Sequence, residues 1–336
     1  MRNLLIISLA TIGFFSCTNQ SSVLGLPAVT TGEKISDNGV EVFDPSVDIL
    51  FVIDDSGSMD RHQQNLAINI NRFIQNFVKK SGLDFHIGVV TTDMGDTGWG
   101  GGGSNGPCCG VLTGRPHYVD RSTPNFGAAL SQNMIVGTSG SSQEESFAPV
   151  IAALTDPNLS VGNIGFYRRN AHLAVIIVTD AEDQSNESVD GFYNFLMALK
   201  GDAAKVSVYG AIVPTTDTTC PRDEPGVYPT KIEKLLGKVS NAGNNIMNLC
   251  SPDFGDRLAS LGDDLLRRVG SLIYLNRRPV SGTIRVNFGS QNISADPLVG
   301  FRYDSFRNAI ILGEKIVWSN QPAGTKVQVS YEAAAE

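Results

Sequence analysis

The sequence predicts an α/β fold: a doubly wound, mostly parallel sheet followed by a small antiparallel β module at the C-terminus. Three observations predict it. Short apolar, β-branched runs recur at "VDILFVID" (47–54), "DFHIGVVTTD" (84–93), "HLAVIIVTD" (172–180) and "KVSVYGAIV" (205–213), the mark of strands buried on both faces. Helical patterns lie between them, and alternating strands and helices imply a parallel sheet covered on both sides. From about Leu275 the texture changes to period-two alternation in "GTIRVNFG", "FRYDSFRNAIIL" and "TKVQVSY", as in antiparallel strands.

Taken in order, the chain begins with an apolar run from Leu4 to Phe15 that ends in Ser16 and Cys17. Such a run is short for a membrane span and has the shape of an export signal. Residues 17–45 carry Ser, Thr, Gly and Asn without periodicity and are expected to form a flexible tether. The main domain is expected over 46–272. Its first helix follows from Leu66, Ile70, Phe73, Ile74, Phe77 and Val78 on one face, with Gly82 as a stop. Further helices are expected at 143–154, 188–200, 229–240 and 255–270. Residues 94–141, with "GDTGWGGGGSNGPCCG", show almost no periodic pattern and are expected to be a long loop. The β module is expected over 273–336.

Composition narrows the function. With 34 acidic against 26 basic residues, a net charge of -8 and no basic run beyond pairs, the chain does not suit a nucleic-acid partner. The four glycines of the long loop are not followed by a phosphate-binding Gly-Lys-Ser/Thr, which excludes a nucleotide cradle. No H-E-x-x-H and no Ser/His/Asp order appears, and a non-enzymatic role is expected. Export would favour oxidised cysteines. Cys220 is expected to pair with Cys250, whereas the adjacent Cys108 and Cys109 either close a vicinal disulfide or stay reduced. The scattered histidines argue against a zinc site.

One stretch carries chemistry. "LFVIDDSGSM" (50–59) ends a buried strand in Asp54, Ser56 and Ser58, spaced D-x-S-x-S, and Asp180 ends another. Parallel sheets present such residues at their carboxyl edge, where ligands bind. Hydroxyls and carboxylates on tight turns suit a hard cation, so Mg²⁺ or Mn²⁺ is expected, with Ca²⁺ a weaker fit.

D-x-S-x-S after one apolar strand and "VTD" after a later one resemble a von Willebrand factor A domain with a metal-ion-dependent adhesion site, over about residues 46–272. The run "DILFVIDDSGSM", with "IGVVTTDMG" and "VIIVTDAEDQS", is also similar to uncharacterised lipoproteins of Gram-negative bacteria. The resemblance implies metal ligands at Asp54, Ser56, Ser58 and Asp180. It implies a fifth from a hydroxyl before the third helix, placed at Ser141 by spacing, with Thr138, Ser142 and Glu144 as rivals. Asp55 is expected to face away from the ion, and Glu182 and Asp183 to support the site or face solvent. The resemblance further implies a protein partner whose Asp or Glu completes the ion's shell. For residues 1–16 it implies a lipoprotein signal, with lipid on Cys17 and anchoring in the cell envelope, at the outer membrane. The competing expectation is a structural envelope protein whose ion only stabilises the fold.

Overall fold

The computed structural model describes residues 38–43, 46–79, 83–95, 108–141, 143–222, 226–239, 241–270, 272–313, 315–319, 321–322 and 325–334. Cys17, the expected signal, most of the expected tether and the run of four glycines lie outside these residues. No helix among the described residues is long and apolar enough to cross a membrane.

An N-terminal strand β1 (Asn38–Phe43) precedes the main domain. The main sheet contains β2 (Ser46–Ile53), β3 (Asp84–Thr91), β4 (Tyr118–Val119), β5 (His172–Thr179), β6 (Val206–Ile212) and β7 (Ile246–Asn248). Its spatial order is β4-β3-β2-β5-β6-β7. All pairings are parallel except that of β4 with β3. The order reverses beside β2, and β2 is the central strand that delivers Asp54 to the carboxyl edge. Open α/β sheets bind ligands at such a reversal.

The strand sequence explains the layering. Val47, Ile49, Phe51 and Ile53 of β2 join one core cluster, while Leu50 and Val52 join the other, because successive side chains of a strand point to opposite faces. Helices α1 (Asp60–Lys79), α2 (Phe126–Asn133) and α6 (Phe254–Gly270) cover the first face. Helices α3 (Ala148–Ala153), α4 (Val189–Lys200) and α5 (Thr230–Lys238) cover the second. Ser188 caps α4 by accepting from the Gly191 amide, and Gly201 ends it with φ 66°. The architecture is a mostly parallel, doubly wound sheet covered by helices on both faces.

The remaining strands are β8 (Leu272–Tyr274), β9 (Arg285–Phe288), β10 (Gln291–Ile293), β11 (Phe301–Asp304), β12 (Ala309–Leu312) and β13 (Val327–Glu332). They form two antiparallel sheets, β1-β13-β9-β10 and β11-β12-β8. Val286, Phe288, Ile310, Val327 and Val329 are buried in a core of their own.

Three expectations are corrected. Residues 38–43 do not belong to a tether, since β1 pairs antiparallel along β13 from Asn38–Glu332 to Phe43–Val327. A strand this far from its partner in sequence escapes local pattern reading. Residues 94–141 are not all loop: they hold β4 and α2, both too short to show a period. The helix expected over 143–154 is confined to Ala148–Ala153, because residues 144–147 are engaged at the sheet edge instead.

Candidate metal centre

Asp54 leaves β2 with its amide donating to Val178 O of β5 at 3.0 Å, so the aspartate is fixed between two central strands. It is fully buried. Its Oδ1 accepts from the Ser56 amide at 2.8 Å and its Oδ2 from the Thr179 hydroxyl at 2.6 Å. Gln63 on α1 holds the backbone, donating through Nε2 to Asp54 O at 2.8 Å and to Gly137 O at 2.7 Å.

Beyond Asp54 the chain turns through a short 3-10 segment, Gly57–Met59. The hydroxyls of Ser56 and Ser58 come within 3.0 Å of each other, and Ser58 donates to Asp180 Oδ1 at 3.0 Å. Asp180 is buried, whereas Gly57 and Ser58 are exposed, so the cluster opens to solvent beside the serines. Four of the expected ligands, Asp54, Ser56, Ser58 and Asp180, therefore meet at one edge.

The fifth position is where sequence and structure part. Ser141 forms a local turn, its hydroxyl accepting from the Gln143 amide at 3.0 Å. Thr138 is exposed, and Ser142 lies outside the described residues. Glu144 is the residue brought in. It is buried, its Oε2 accepts from the Thr92 hydroxyl at 2.5 Å, and its Oε1 is buried with no hydrogen-bond partner. The Asp54 charge is close enough to act on it. Two main-chain bonds fix it there, from the Glu145 amide to Thr92 O at 3.2 Å and from the Gln184 amide to Glu144 O at 2.8 Å.

Electrostatics follow from this crowding. Burial raises the Asp54 carboxyl above its ordinary range, against hydrogen bonds from Thr179 and Ser56 that lower it. Glu144 is pushed up to about 9 by burial and then by the Asp54 charge. Burial, with Asp93 and Asp54 alongside, raises Asp55 to about 7. Among the described residues, Asp54, Asp55, Asp93 and Glu144 take hydrogen bonds only from hydroxyls and backbone amides. Buried carboxylates without a cation are costly. Two acceptors facing each other with no donor between them need either a shared proton or a metal ion.

Asp55 does not face solvent. It is buried against Thr92, whose hydroxyl lies 3.3 Å from its Oδ1, and against Gly140. A Cβ at Gly140 would sit 2.3 Å from the Asp55 carboxyl, so glycine alone allows this approach. Asp183 and Glu182 are structural. Asp183 Oδ1 accepts from the Ser146 amide at 2.8 Å and the Ser185 hydroxyl at 2.6 Å, while its Oδ2 pairs with Lys231 at 2.6 Å. Glu182 accepts from the amides of Thr230 and Lys231 at the start of α5, where a carboxylate complements the helix terminus.

Thr92, Thr179 and Gln63 were not singled out from the sequence. A signal for two of them existed, since β3 and β5 both run into Thr-Asp, at Thr92-Asp93 and Thr179-Asp180. The cysteines form two disulfides, Cys108–Cys109 and Cys220–Cys250. His62 lies beside the second, its ring nitrogen and both sulfurs within 4.8 Å of one another, but those sulfurs are spent on each other.

The donor set fits a hard divalent cation. Asp54, Ser56, Ser58, Asp180 and Glu144 offer oxygen only, from three separate segments, and the orphaned Glu144 Oε1 supplies a buried negative charge that a cation would satisfy.

No family model and no curated protein matches the chain. Among solved structures, the chain is similar to proximal thread matrix protein 1 from the mussel byssus, with 14% identity and a TM-score of 0.42, over 69% of this chain and 50% of that one. A second structure of that protein, with zinc in its metal-ion-dependent adhesion site, aligns at 14% identity and a TM-score of 0.37 over 67% of this chain and 48% of that one. A von Willebrand factor type A protein from Catenulispora acidiphila aligns at 13% identity and 0.37, over 89% of this chain and 66% of that one. The chain thus spans about half the length of the mussel protein. At such scores these likenesses carry no weight, and the fold stands on its own sheet order.

Proposed function

We propose that this chain is a non-enzymatic, divalent-metal-dependent, adhesion-type protein-binding module. The observation that carries the reading is the convergence of Asp54, Ser56, Ser58, Asp180 and the orphaned Glu144 at the carboxyl edge of the central strands. These five residues would hold Mg²⁺ or Mn²⁺. When bound, the ion supplies a fixed positive charge at a surface whose exposed members, Gly57 and Ser58, a partner can reach. A partner oxygen facing such an ion makes a strong, geometry-dependent contact, and the surrounding loops confer specificity. On the resemblance alone that oxygen would come from an Asp or Glu; Glu144 alters this expectation.

The reading includes an envelope lipoprotein anchored through lipid on Cys17, which rests on the N-terminal sequence. Incorporation of labelled fatty acid that is abolished by Cys17→Ser supports it, and equal incorporation by the variant refutes it.

The test of the binding role is retention of envelope proteins on residues 38–336, which keep β1, as bait with Mg²⁺, with chelator, and with Asp54→Ala. Retention only with Mg²⁺ and an intact Asp54 is the expected result. No retention under any condition, with metal still bound by the wild type, would leave an ion that serves the fold alone.

A further inference from the structure

The cluster contains one carboxylate more than the sequence motif requires, and its placement decides what the ion can accept. We infer that Glu144 is a resident anionic ligand of the metal ion, so that the loaded site is already charge-compensated and takes no carboxylate from a partner. The inference rests on the metal-binding part of the proposed function and deepens it.

Three observations support it independently of the spacing. Glu144 is almost fully buried, so its charge has no solvent to stabilise it. Its Oε2 accepts from the Thr92 hydroxyl at 2.5 Å, and its Oε1 is buried with no hydrogen-bond partner in a cluster where Asp54 is the first neighbouring charge. Its backbone is tied on both sides, to Thr92 O and by Gln184 N. The side chain is therefore held at the ion rather than swinging toward it from solvent.

Charge arithmetic gives the consequence. A divalent ion held by ionised Asp54, Asp180 and Glu144 leaves the ligand set one charge negative, and Asp55 and Asp93 are buried alongside. A further carboxylate would enter against a like charge at close range, which at low dielectric is strongly opposed. Ser56 and Ser58 contribute neutral oxygens and do not change this sum. Recognition then falls to partner groups other than carboxylates, such as carbonyl or hydroxyl oxygens that displace a water from the ion beside exposed Ser58.

The experiment uses Mn²⁺ as the ion and acetate as the carboxylate probe, on the full chain. Mn²⁺ affinity is read by calorimetry, and exchangeable water on the bound ion by water-proton relaxation. The wild type is expected to bind Mn²⁺ with a relaxation rate that acetate leaves unchanged. Glu144→Gln, which keeps the shape and removes the charge, is expected to weaken Mn²⁺ by about tenfold or more, as ligand charge sets affinity in such sites. In Glu144→Thr, acetate should displace coordinated water and lower the relaxation rate. Acetate acting on the wild type overturns the inference and needs no variant. So does Glu144→Gln binding Mn²⁺ within about twofold of wild type, since removal of a charged ligand costs more than that. Folded wild type that binds no Mn²⁺ overturns both this inference and the proposed function, whereas Mn²⁺ binding with an inert Glu144 overturns this inference alone.

Discussion

Strand β2 carries a fully buried aspartate near each end, and the two are treated in opposite ways. At the amino end, Asp48 meets a cation within the protein. Arg168 donates to it through its backbone amide at 2.6 Å and through Nε at 2.8 Å. The same guanidinium reaches Asp84 at 2.5 Å. At the carboxyl end, Asp54 is equally buried and meets only hydroxyls, an amide and a second carboxyl. Burial raises both carboxyls, but only at Asp48 does a positive charge oppose it. A buried charge compensated internally is part of the scaffold. One left uncompensated beside a second acidic group is where, on the proposed function, a cation would arrive.

The strongest way to break this comparison is to make the two ends alike. Arg168→Ala keeps the amide bond but removes the charge that faces buried Asp48, and loss of one member of a buried ion pair typically costs roughly 3–5 kcal/mol. Urea unfolding is expected to show a loss of that size, in the presence or absence of metal. A loss below about 1 kcal/mol, the range of exposed pairs, would mean that Asp48 is not held by Arg168 in the way the distances indicate.

At the other end the same logic predicts a different sign. Asp54→Asn converts one of two facing acceptors into a group that can donate, so in chelator the variant should melt at or above the wild-type temperature. The wild type alone should then gain from Mg²⁺ or Mn²⁺. Ligand that binds only the native state at a hundredfold excess over Kd adds about 2.7 kcal/mol. A melting titration with and without metal reads both quantities, and equal metal responses in the two proteins would remove Asp54 from the site.

The comparison also shows what could be foreseen. Asp54, Ser56, Ser58 and Asp180 were legible because each follows an apolar strand, and strand ends are fixed by the same pattern that defines the core. The doubly wound sheet was legible for the same reason. Glu144 could only be kept among several rivals, because it lies in a segment whose path is set by bonds to Thr92 and Gln184, far away in sequence. β1 was missed on similar grounds, since its partner β13 lies at the other end of the chain. Arg168, in sequence only half of a basic pair with Arg169, is the counterion of Asp48. Long-range pairing of charges has no local signature.

A third prediction sharpens the contrast through pH. His172 begins β5 opposite Val47, at the same end of the sheet as Asp48. It is buried, with Nε2 3.0 Å from the Ser207 hydroxyl. Burial lowers its pKa to about 3, and Lys200, Arg268 and Lys205 add to this while Asp264 opposes them. The unfolded chain takes up this proton near its ordinary pKa of about 6.5, and the native state does not until far lower pH. The contribution is therefore intact above about 6.5 and is lost as pH falls, at up to ~1.4 kcal/mol per unit, or about 2 kcal/mol by pH 5. His172→Gln removes the titration. The difference between wild type and variant, measured by unfolding from pH 7.5 to 5, should grow by that amount, and a flat difference would show that the histidine is not held neutral.

The smallest effect on the fold is expected at Ser58, and it separates the two functions of the carboxyl edge most cleanly. Ser58 is exposed, and its hydroxyl contacts Ser56 and Asp180 at 3.0 Å each. Exposed substitutions of this kind usually shift stability by no more than about 0.5 kcal/mol, so Ser58→Ala should unfold like wild type in chelator. With Mn²⁺ it should show a weaker stabilisation at every concentration, because a neutral oxygen has gone from the ligand set while Asp54, Asp180 and Glu144 remain. A variant that loses stability in chelator would instead tie Ser58 to the scaffold. An unchanged metal response would place the ion among the carboxylates alone, leaving the serines as the turn that brings Asp54 to the edge.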